Sequence, residues 1–178
     1  MDRPVAVVTG VGPGTGSAIV RRLAAGGYAV AMLARSRGRL AALEKDVQHA
    51  KAYACDVSDE AEIEASLAAL RRDMGSPSVL VHNAVGGAWG TFQDIDPQIL
   101  NRNFQVNTMA LLHLARRLAP AMVERGAGAI VATGNTSALR GRANFAGFAP
   151  TKAAQPSSPR RWRATWVPKA RKIGRAHV

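Results

Sequence analysis

A glycine-rich run near the amino terminus has the spacing of a phosphate-binding turn. The run Thr9-Gly10-Val-Gly12-Pro-Gly14-Thr15-Gly16 follows a short β-branched segment and precedes an amphipathic helical pattern, Ser17–Ala25. Gly10 permits a tight turn, Gly14 lets the backbone approach a phosphate, and Gly16 allows close packing of helix and strand. The helix N-terminus would present free N–H groups to the anion. This favours a dinucleotide site, with a purely structural turn as the alternative.

Two arginines after the second apolar run bear on which dinucleotide would bind. Arg35-Ser36-Arg37 directly follow Tyr28–Ala34. An acidic residue at this place would hold a ribose 2′-hydroxyl, whereas arginine beside a hydroxyl suits a 2′-phosphate. The sequence therefore favours NADP(H), with NAD(H) still possible. The alternative is that both arginines are solvated charges at the start of a helix.

These residues sit in a chain whose hydrophobic period alternates between strand and helix. Apolar, β-branched runs of strand length are separated by segments with helical periodicity, which predicts parallel βαβ units. Ser58 is predicted to cap one helix, and Asp96-Pro97 to open a long helix that ends near Arg125. The predicted strands are Pro4–Thr9, Tyr28–Ala34, Ala52–Cys55, Ser78–His82 and Ala129–Thr133.

Composition and charge exclude several classes of protein. The chain has 178 residues, 47% of them hydrophobic, which suits one packed domain. The single cysteine, Cys55, excludes an internal disulfide framework and a multi-cysteine metal site. No apolar run approaches the roughly 20 residues that span a bilayer. We expect a cytoplasmic protein without a membrane or metal partner.

Further motifs follow the glycine run at consistent separations: Asp56-Val57, Asn83-Ala84 with Gly86, Asn107 and Phe148–Lys152. Together with Thr9–Gly16 they resemble, over residues 5–154, the short-chain dehydrogenase/reductase family. In that family the matching places are TGxxxGxG (Thr9–Gly16), the pair that touches the adenine (Asp56-Val57), NNAG (Asn83-Ala84 with Gly86), the helix asparagine (Asn107) and YxxxK (Phe148–Lys152). The resemblance implies a Rossmann fold, NAD(P)-dependent chemistry on a small carbonyl or alcohol substrate, and a homo-oligomer.

The catalytic positions depart from the family pattern. The resemblance implies that Lys152 binds the nicotinamide ribose and that Asn107 holds a water in a proton relay. Phe148, however, stands where the family has its proton-transferring tyrosine, and it has no proton to give. Asn135 stands at the position of the substrate-orienting serine.

Two interpretations of these departures remain open. The chain belongs either to an oxidoreductase with another proton donor (His82, Lys152 or water) or to a dinucleotide-binding protein without turnover. In the second case the glycine motif would persist although the proton donor is lost. Thr136 and Ser137 are candidates for the polarising role of the missing serine.

The last residues follow a different pattern from residues 1–154, the predicted dinucleotide-binding domain. Residues 155–178 carry seven of the 24 basic residues and none of the 12 acidic ones, within a formal net charge of +12. Three prolines interrupt them, and no hydrophobic period persists. Shifting the reading frame from about residue 155 can encode an amphipathic helix, and Ile173–Val178 resembles translated sequencing adapter. We expect a frameshifted, adapter-derived tail.

The alternative for this tail is a nucleic-acid arm. Arg160–Arg163 and Lys169–Lys172 would contact phosphates, and Trp162 and Trp166 would stack on bases. We favour the frameshift because it explains the charges, the prolines and the lost periodicity together, and we expect no nucleic-acid partner. On this interpretation the sheet is incomplete at the C-terminus with an exposed edge, and Lys152 lies in a frayed helix start. We then expect the fragment to bind dinucleotide weakly or not at all and to be inactive.

Overall fold

The computed structural model describes residues 3–155 and the backbone of a strand at residues 172–176. In this part of the chain the strands form one six-stranded sheet in the order β3-β2-β1-β4-β5-β6, and every pair is parallel. The strand order reverses direction between β1 and β4. The strands are β1 Val5–Thr9, β2 Ala29–Ala34, β3 Ala50–Ala54, β4 Val79–His82, β5 Ala129–Thr133 and β6 Lys172–Ala176.

Helices connect the strands and cover both faces of the sheet. The described residues form two hydrophobic cores, one on each face of the sheet. Because side chains alternate along a strand, neighbouring residues of β1 belong to different cores. Val7 packs with α3 and α5, while Val8 packs with α1 and α2. This confirms the predicted doubly wound α/β architecture of Rossmann type. The helices are α1 Thr15–Ala25, α2 Arg37–Asp46, α3 Glu60–Met74, α4 Pro97–Phe104, α5 Ala110–Glu124 and α6 at residues 149–155.

The helix predicted from Asp96 to Arg125 is interrupted by a π-helical turn, Gln105–Met109, between α4 and α5. Asp96 caps its start, as predicted, by accepting a hydrogen bond from the amide of Gln98. The residues on either side of the turn, Phe104 and Ala110, keep right-handed helical φ and ψ. The chain stays helical throughout, and no residue type marks a π turn, so the sequence pattern did not disclose it. The turn contains Asn107, one of the predicted site residues.

The prediction that Ser58 caps α3 is wrong. Asp59 is the cap, and its carboxylate accepts hydrogen bonds from the amides of Ala61 and Glu62 at 2.8 and 3.1 Å. The Ser58 hydroxyl instead donates to Asp56 Oδ1 at 2.7 Å. Both residue types are good caps, and the loop preceding α3 turned the serine towards Asp56.

The expectation that β5 has an unpaired outer edge is also wrong. Residues 172–176 pair with β5 in parallel register, Ala129 opposite Lys172 and Thr133 opposite Ala176. The open peptide groups of an edge strand offer hydrogen bonds to any extended segment that can reach them. The predicted frameshift and nucleic-acid arm at residues 156–171 lie outside the described residues. Within the described part, none of the helices is long and apolar enough to cross a membrane.

Candidate cofactor and substrate cleft

A cleft of about 1340 Å³ opens at the carboxyl ends of the strands. Its position at the reversal of strand order is where open α/β sheets bind ligands, and its volume exceeds the roughly 300–1,000 Å³ of common small-ligand pockets. Arg37 and Asn107 do not line it. The other predicted site residues do: Gly10, Gly12, Gly14, Thr15, Gly16, Arg35, Ser36, Asp56, Val57, Asn83, Ala84, Gly86, Asn135, Phe148 and Lys152.

The glycine loop divides into two packed and two open positions. Gly10 has φ +69°, and a Cβ there would lie 2.4 Å from the backbone of Ala84. A Cβ at Gly16 would lie 2.5 Å from the carbonyl oxygen of Gly10. At Gly12 and Gly14 a Cβ would meet nothing within 4 Å. The loop thus packs tightly against β4 on one side and leaves room on the other, a form that fits a pyrophosphate at the start of α1.

The basic side chains at the end of β2 differ from the predicted pair. Arg35 and Ser36 line the cleft as expected, but Arg39 takes the place predicted for Arg37. Helix α2 begins at Arg37, and each residue of a helix rotates the side chain by about 100°. That rotation directs Arg37 away from the cleft and Arg39 towards it. The sequence shows Arg35, Arg37 and Arg39 in one run, but the predicted helix began at Leu40. A helix that begins at Arg37 is needed to tell which of these arginines faces the cleft.

Asp56 lies on the same side of the cleft. Its carboxylate accepts two hydrogen bonds from Ser58 and lies 3.5 Å from the Arg102 guanidinium. Partial burial alone would raise the pKa of Asp56, but the Ser58 hydrogen bonds and the nearby arginines outweigh burial and lower it. Asp56 is therefore an anionic acceptor beside the buried Val57.

Hydrogen bonds connect the ends of β1 and β4 beneath the glycine loop. They involve Thr9, His82, Asn83 and Ala84. The Asn83 amide nitrogen donates to the Gly10 carbonyl at 2.9 Å. The Thr9 hydroxyl lies 2.9 Å from His82 Nδ1 and accepts from the Ala84 amide at 3.4 Å. These bonds stabilise the point where the strand order reverses. They also engage the side chains of Thr9, His82 and Asn83 with the protein itself, so these side chains are not free to bind a ligand.

His82 is not available as a proton donor to substrate. Its ring is fully buried, with Nε2 3.1 Å from the Val106 carbonyl oxygen. Because a carbonyl only accepts, Nε2 carries the proton and Nδ1 accepts from the Thr9 hydroxyl. Burial, followed by the positive charge of Lys152, lowers the pKa of His82 to about 4. Both nitrogens of the neutral ring are thus hydrogen-bonded within the protein.

Asn107 lies behind the cleft, fully buried in the π turn. Its Oδ1 accepts from the Gly86 amide at 2.8 Å, and its Nδ2 donates to the Gly86 carbonyl at 2.7 Å. Nδ2 also donates to the Thr151 hydroxyl at 2.7 Å. The main-chain carbonyl of Asn107 accepts a bond from the Gln155 side chain. The sequence did not single out Thr151 or Gln155, whose shared partner Asn107 lies more than 40 residues away.

Lys152 is held firmly, contrary to the predicted frayed helix start. It lies in α6, is 3% exposed, and donates from Nζ to the Thr133 carbonyl at 3.2 Å. Burial lowers its pKa to about 8. The ammonium also lies 5.9 Å from the centroid of the Phe148 ring, within the range of cation–π attraction. Lys152 is therefore a positioned cation that gives up its proton more readily than an exposed lysine.

Asn135 and Phe148, which motif spacing predicts to stand at the family's serine and tyrosine positions, both carry side chains that do not release a proton. Asn135 lines the cleft, and its Oδ1 accepts from the Ser137 amide at 2.9 Å. Phe148 lines the cleft with its ring buried. Ser137 is buried and Thr136 is exposed; neither lines the cleft, so neither takes the place of a polarising hydroxyl.

The family follows from comparison with known proteins. A model of the short chain dehydrogenase family matches residues 4–170. The chain belongs to this family. It is 30% identical over 158 residues to 2,3-dihydro-2,3-dihydroxybenzoate dehydrogenase of Bacillus subtilis strain 168, covering 86% of this chain and 60% of that protein. It is 29% identical over 150 residues to L-xylulose reductase of Bos taurus, covering 84% and 60%. The chain thus spans about 60% of the length of these relatives.

Solved structures of short-chain dehydrogenases are similar over nearly the whole chain. A metagenomic short-chain oxidoreductase in complex with NADP superposes with a TM-score of 0.92 at 28% identity, covering 98% of this chain and 81% of that one. The 3-ketoacyl-(acyl-carrier-protein) reductase of Brucella melitensis, complexed with NADH, gives 0.90 at 27%, covering 98% and 75%. The architecture described above is therefore that of the family.

Proposed function

We propose that this chain binds a nicotinamide dinucleotide, NADP(H) in preference to NAD(H), and forms the cofactor domain of an oxidoreductase acting on a small carbonyl or alcohol. The observation that carries the proposal is the open glycine loop, Gly12 and Gly14, in one cleft with the buried Lys152. The relatives named above with NADP and NADH in their structures support it. Cytoplasmic location and homo-oligomerisation stay predictions.

Each end of the cleft has a separate task in this proposal. The backbone at Gly12 and Gly14 and the start of α1 would hold the pyrophosphate. Arg35 and Arg39 would hold a 2′-phosphate, and Asp56 with Val57 the adenine edge. Lys152 would bind the nicotinamide ribose through its ammonium, which the Thr133 carbonyl orients. When bound, the cofactor supplies or accepts the hydride.

Cofactor preference gives a direct test with a matched control. Arg39→Ala removes one cation from the cleft, whereas Arg37→Ala removes another exposed cation of the same helix that does not line it. We expect R39A to weaken NADPH binding about tenfold, as the loss of one charge-assisted hydrogen bond would, and to leave NADH binding unchanged. R37A should alter neither. Isothermal titration calorimetry on the full chain measures both cofactors.

Equal effects of R39A and R37A on NADPH would contradict the assignment of the 2′-phosphate site. Absence of binding of either cofactor by the wild-type chain would contradict the proposal as a whole. Steady-state assays of NADPH oxidation with aldehydes and ketones report turnover separately. For the chain as it stands we predict none.

Phe148 favours a second candidate, a dinucleotide-binding protein without turnover. A phenyl ring at the position of the family's tyrosine leaves the cleft without a phenol, and no tyrosine is among its described lining residues. NADPH binding without oxidation across a panel of carbonyl compounds supports this candidate. Phe148→Tyr places a phenol near the Lys152 ammonium, so turnover gained in F148Y alone would show that the proton donor is what the natural chain lacks.

A further inference from the structure

We propose that Trp89 and Phe148 form an aromatic wall that selects a substrate with a flat, uncharged aromatic ring next to its carbonyl carbon, an aryl ketone or aldehyde or the matching alcohol. Both rings line the cleft, and Phe145, which does not line it, supports the wall through its contact with Trp89. This inference rests on the proposed function, because it names the substrate class of the same cleft. The Trp89 ring lies 4.7 Å from that of Phe145, nearly edge to face at 74°. It lies 5.4 Å from that of Phe148, tilted by 51°.

The wall is fixed by the backbone on both sides. The loop that carries Trp89 is joined to the loop that carries Phe145 through a parallel bridge between Gly90 and Phe145. The Gly90 amide donates to the Asn144 carbonyl at 3.0 Å, and the Gly90 carbonyl accepts from the Ala146 amide at 3.2 Å. A site formed before the ligand arrives loses little entropy on binding.

Close packing behind the wall explains why these loops meet. The buried Asn103 side chain donates to the Gly147 carbonyl at 2.8 Å. A Cβ at Gly147 would lie 2.8 Å from the Ala88 carbonyl oxygen, and Gly90 has φ +154°. Both glycines permit an approach that larger residues would prevent. The two loops therefore present their rings in one arrangement.

The exposure of Trp89 identifies the surface that a ligand would cover. Its side chain lines the cleft, yet it is 66% exposed, while the Phe148 ring beside it is buried. An exposed indole ring that packs against two phenyl rings forms an apolar surface, and the exposure of such a surface to water is unfavourable. A planar ring stacked on it would bury this area and gain the favourable geometry of aromatic pairs.

The charge of the cleft decides between the two ligand types that aromatic walls bind. Such walls also hold organic cations. Here the described lining side chains include four cations, Arg35, Arg39, Arg102 and Lys152, against one carboxylate, Asp56. That carboxylate lies 3.5 Å from Arg102. Of these cations the Lys152 ammonium lies at the wall itself, 5.9 Å from the Phe148 ring centroid, and it repels a cationic ligand there. The wall therefore favours an uncharged ring.

The place of Lys152 sets where the carbonyl group would lie. Its ammonium is 5.9 Å from the Phe148 ring centroid and close to the end of β5, through its bond to Thr133. An aromatic ring stacked on Trp89 thus has the Phe148–Lys152 end of the cleft beside it. A carbonyl attached directly to the ring reaches this end.

The test compares acetophenone with cyclohexyl methyl ketone, which has the same carbonyl group on a saturated ring. Dissociation constants come from ligand-observed NMR titrations of the full chain, with and without NADP⁺. We expect acetophenone to bind about tenfold more tightly, the equivalent of ~1.4 kcal/mol. Trp89→Leu keeps an apolar side chain and should abolish the preference. Phe92→Leu is the matched control, because Phe92 is 84% exposed and does not line the cleft.

Equal affinity for the two ketones, or an unchanged preference in W89L, would overturn the inference. Tighter binding of phenyltrimethylammonium than of acetophenone would overturn it in favour of a cation site. Parallel NADPH titrations separate this result from the proposed function. NADPH binding without aromatic preference rejects only the wall. Aromatic preference without NADPH binding rejects the cofactor proposal and the assignment of a substrate that rests on it, and leaves a cleft that binds aromatic ketones.

Discussion

At the scale of single residues, the site depends on side chains whose partners lie far along the chain. His82 shows this most clearly, since its ring bonds Thr9 on β1 and Val106 in the π turn. A neutral, fully buried imidazole with both nitrogens bonded acts as a structural bridge between the sheet and the helix that carries Asn107. The sequence placed His82 at a strand end, where a catalytic acid and a packed residue look alike.

The lowered pKa of His82 predicts a specific pH dependence of stability. As pH falls below 6.5 the unfolded chain takes up a proton, but the folded chain does not until about pH 4. The free energy of unfolding therefore decreases between pH 6.5 and 4, by up to about 3 kcal/mol, and this contribution is constant above pH 6.5. Urea denaturation at each pH measures it, and His82→Asn should remove most of the slope.

His49→Asn is the matched control for this experiment. His49 is exposed and has φ +66°, a conformation that asparagine tolerates. H49N leaves the buried ring in place and should keep the wild-type slope. An NMR titration midpoint near 6.5 for the His82 ring in the folded protein would contradict the prediction.

At the scale of elements, the ends and interruptions of helices position the site more than the helices themselves. The π turn Gln105–Met109 directs the carbonyls of Val106 and Asn107 to side-chain partners, His82 and Gln155. It also brings the Asn107 amide to Gly86. Such turns are frequent at functional sites. The position of α2 likewise decides which of two arginines faces the cleft.

The corrected cap of α3 gives a prediction at this scale. Asp59→Ala removes the acceptor of two amide hydrogen bonds and should lower the free energy of unfolding by about 1 kcal/mol. Ser58→Ala removes a hydroxyl bonded to Asp56 and leaves both capping bonds, so its effect should be smaller. Chemical denaturation of the two variants compares them. A larger loss in S58A than in D59A would restore Ser58 as the cap.

At the scale of the whole molecule, the cleft exists because all the described strands are parallel, so their carboxyl ends lie at one edge of the sheet. The reversal of strand order between β1 and β4 separates the connections that leave them, and the cleft opens between. The same sheet extends to β6 beside β5. Residues 172–176, which the sequence analysis assigned to a frameshifted tail, therefore cover the outer edge of β5.

The pairing of β6 with β5 predicts a pattern of amide exchange. In a parallel sheet a strand between two neighbours donates alternate amides to each. Removing residues 172–178 should therefore speed hydrogen exchange at alternate amides of β5 and leave β1, which has β2 and β4 beside it, unchanged. Removal of residues 177 and 178 alone is the control. Equal protection of β5 in both shortened chains would contradict the pairing.

The sequence by itself determined the fold class, the five strands from β1 to β5, and the glycine loop. Local patterns carry these features: β-branched runs, helical periodicity, and glycines at fixed spacing. Most cleft residues could be predicted for the same reason, because they follow strand ends and parallel strands end at one edge of the sheet. That Asn135 and Phe148 stand at the family's serine and tyrosine positions stays a prediction, which rests on motif spacing alone.

Only the tertiary structure decided which of these side chains are free to act. Burial and two hydrogen bonds leave His82 unable to donate a proton to a substrate. Burial and one hydrogen bond fix the position of Lys152 in the cleft. The rotation of α2 exchanges Arg37 for Arg39, and the wall around Trp89 forms from loops more than 50 residues apart. The physical reason is common to all of them. Desolvation, hydrogen-bond partners and facing direction arise from distant segments meeting in space, which no local pattern contains.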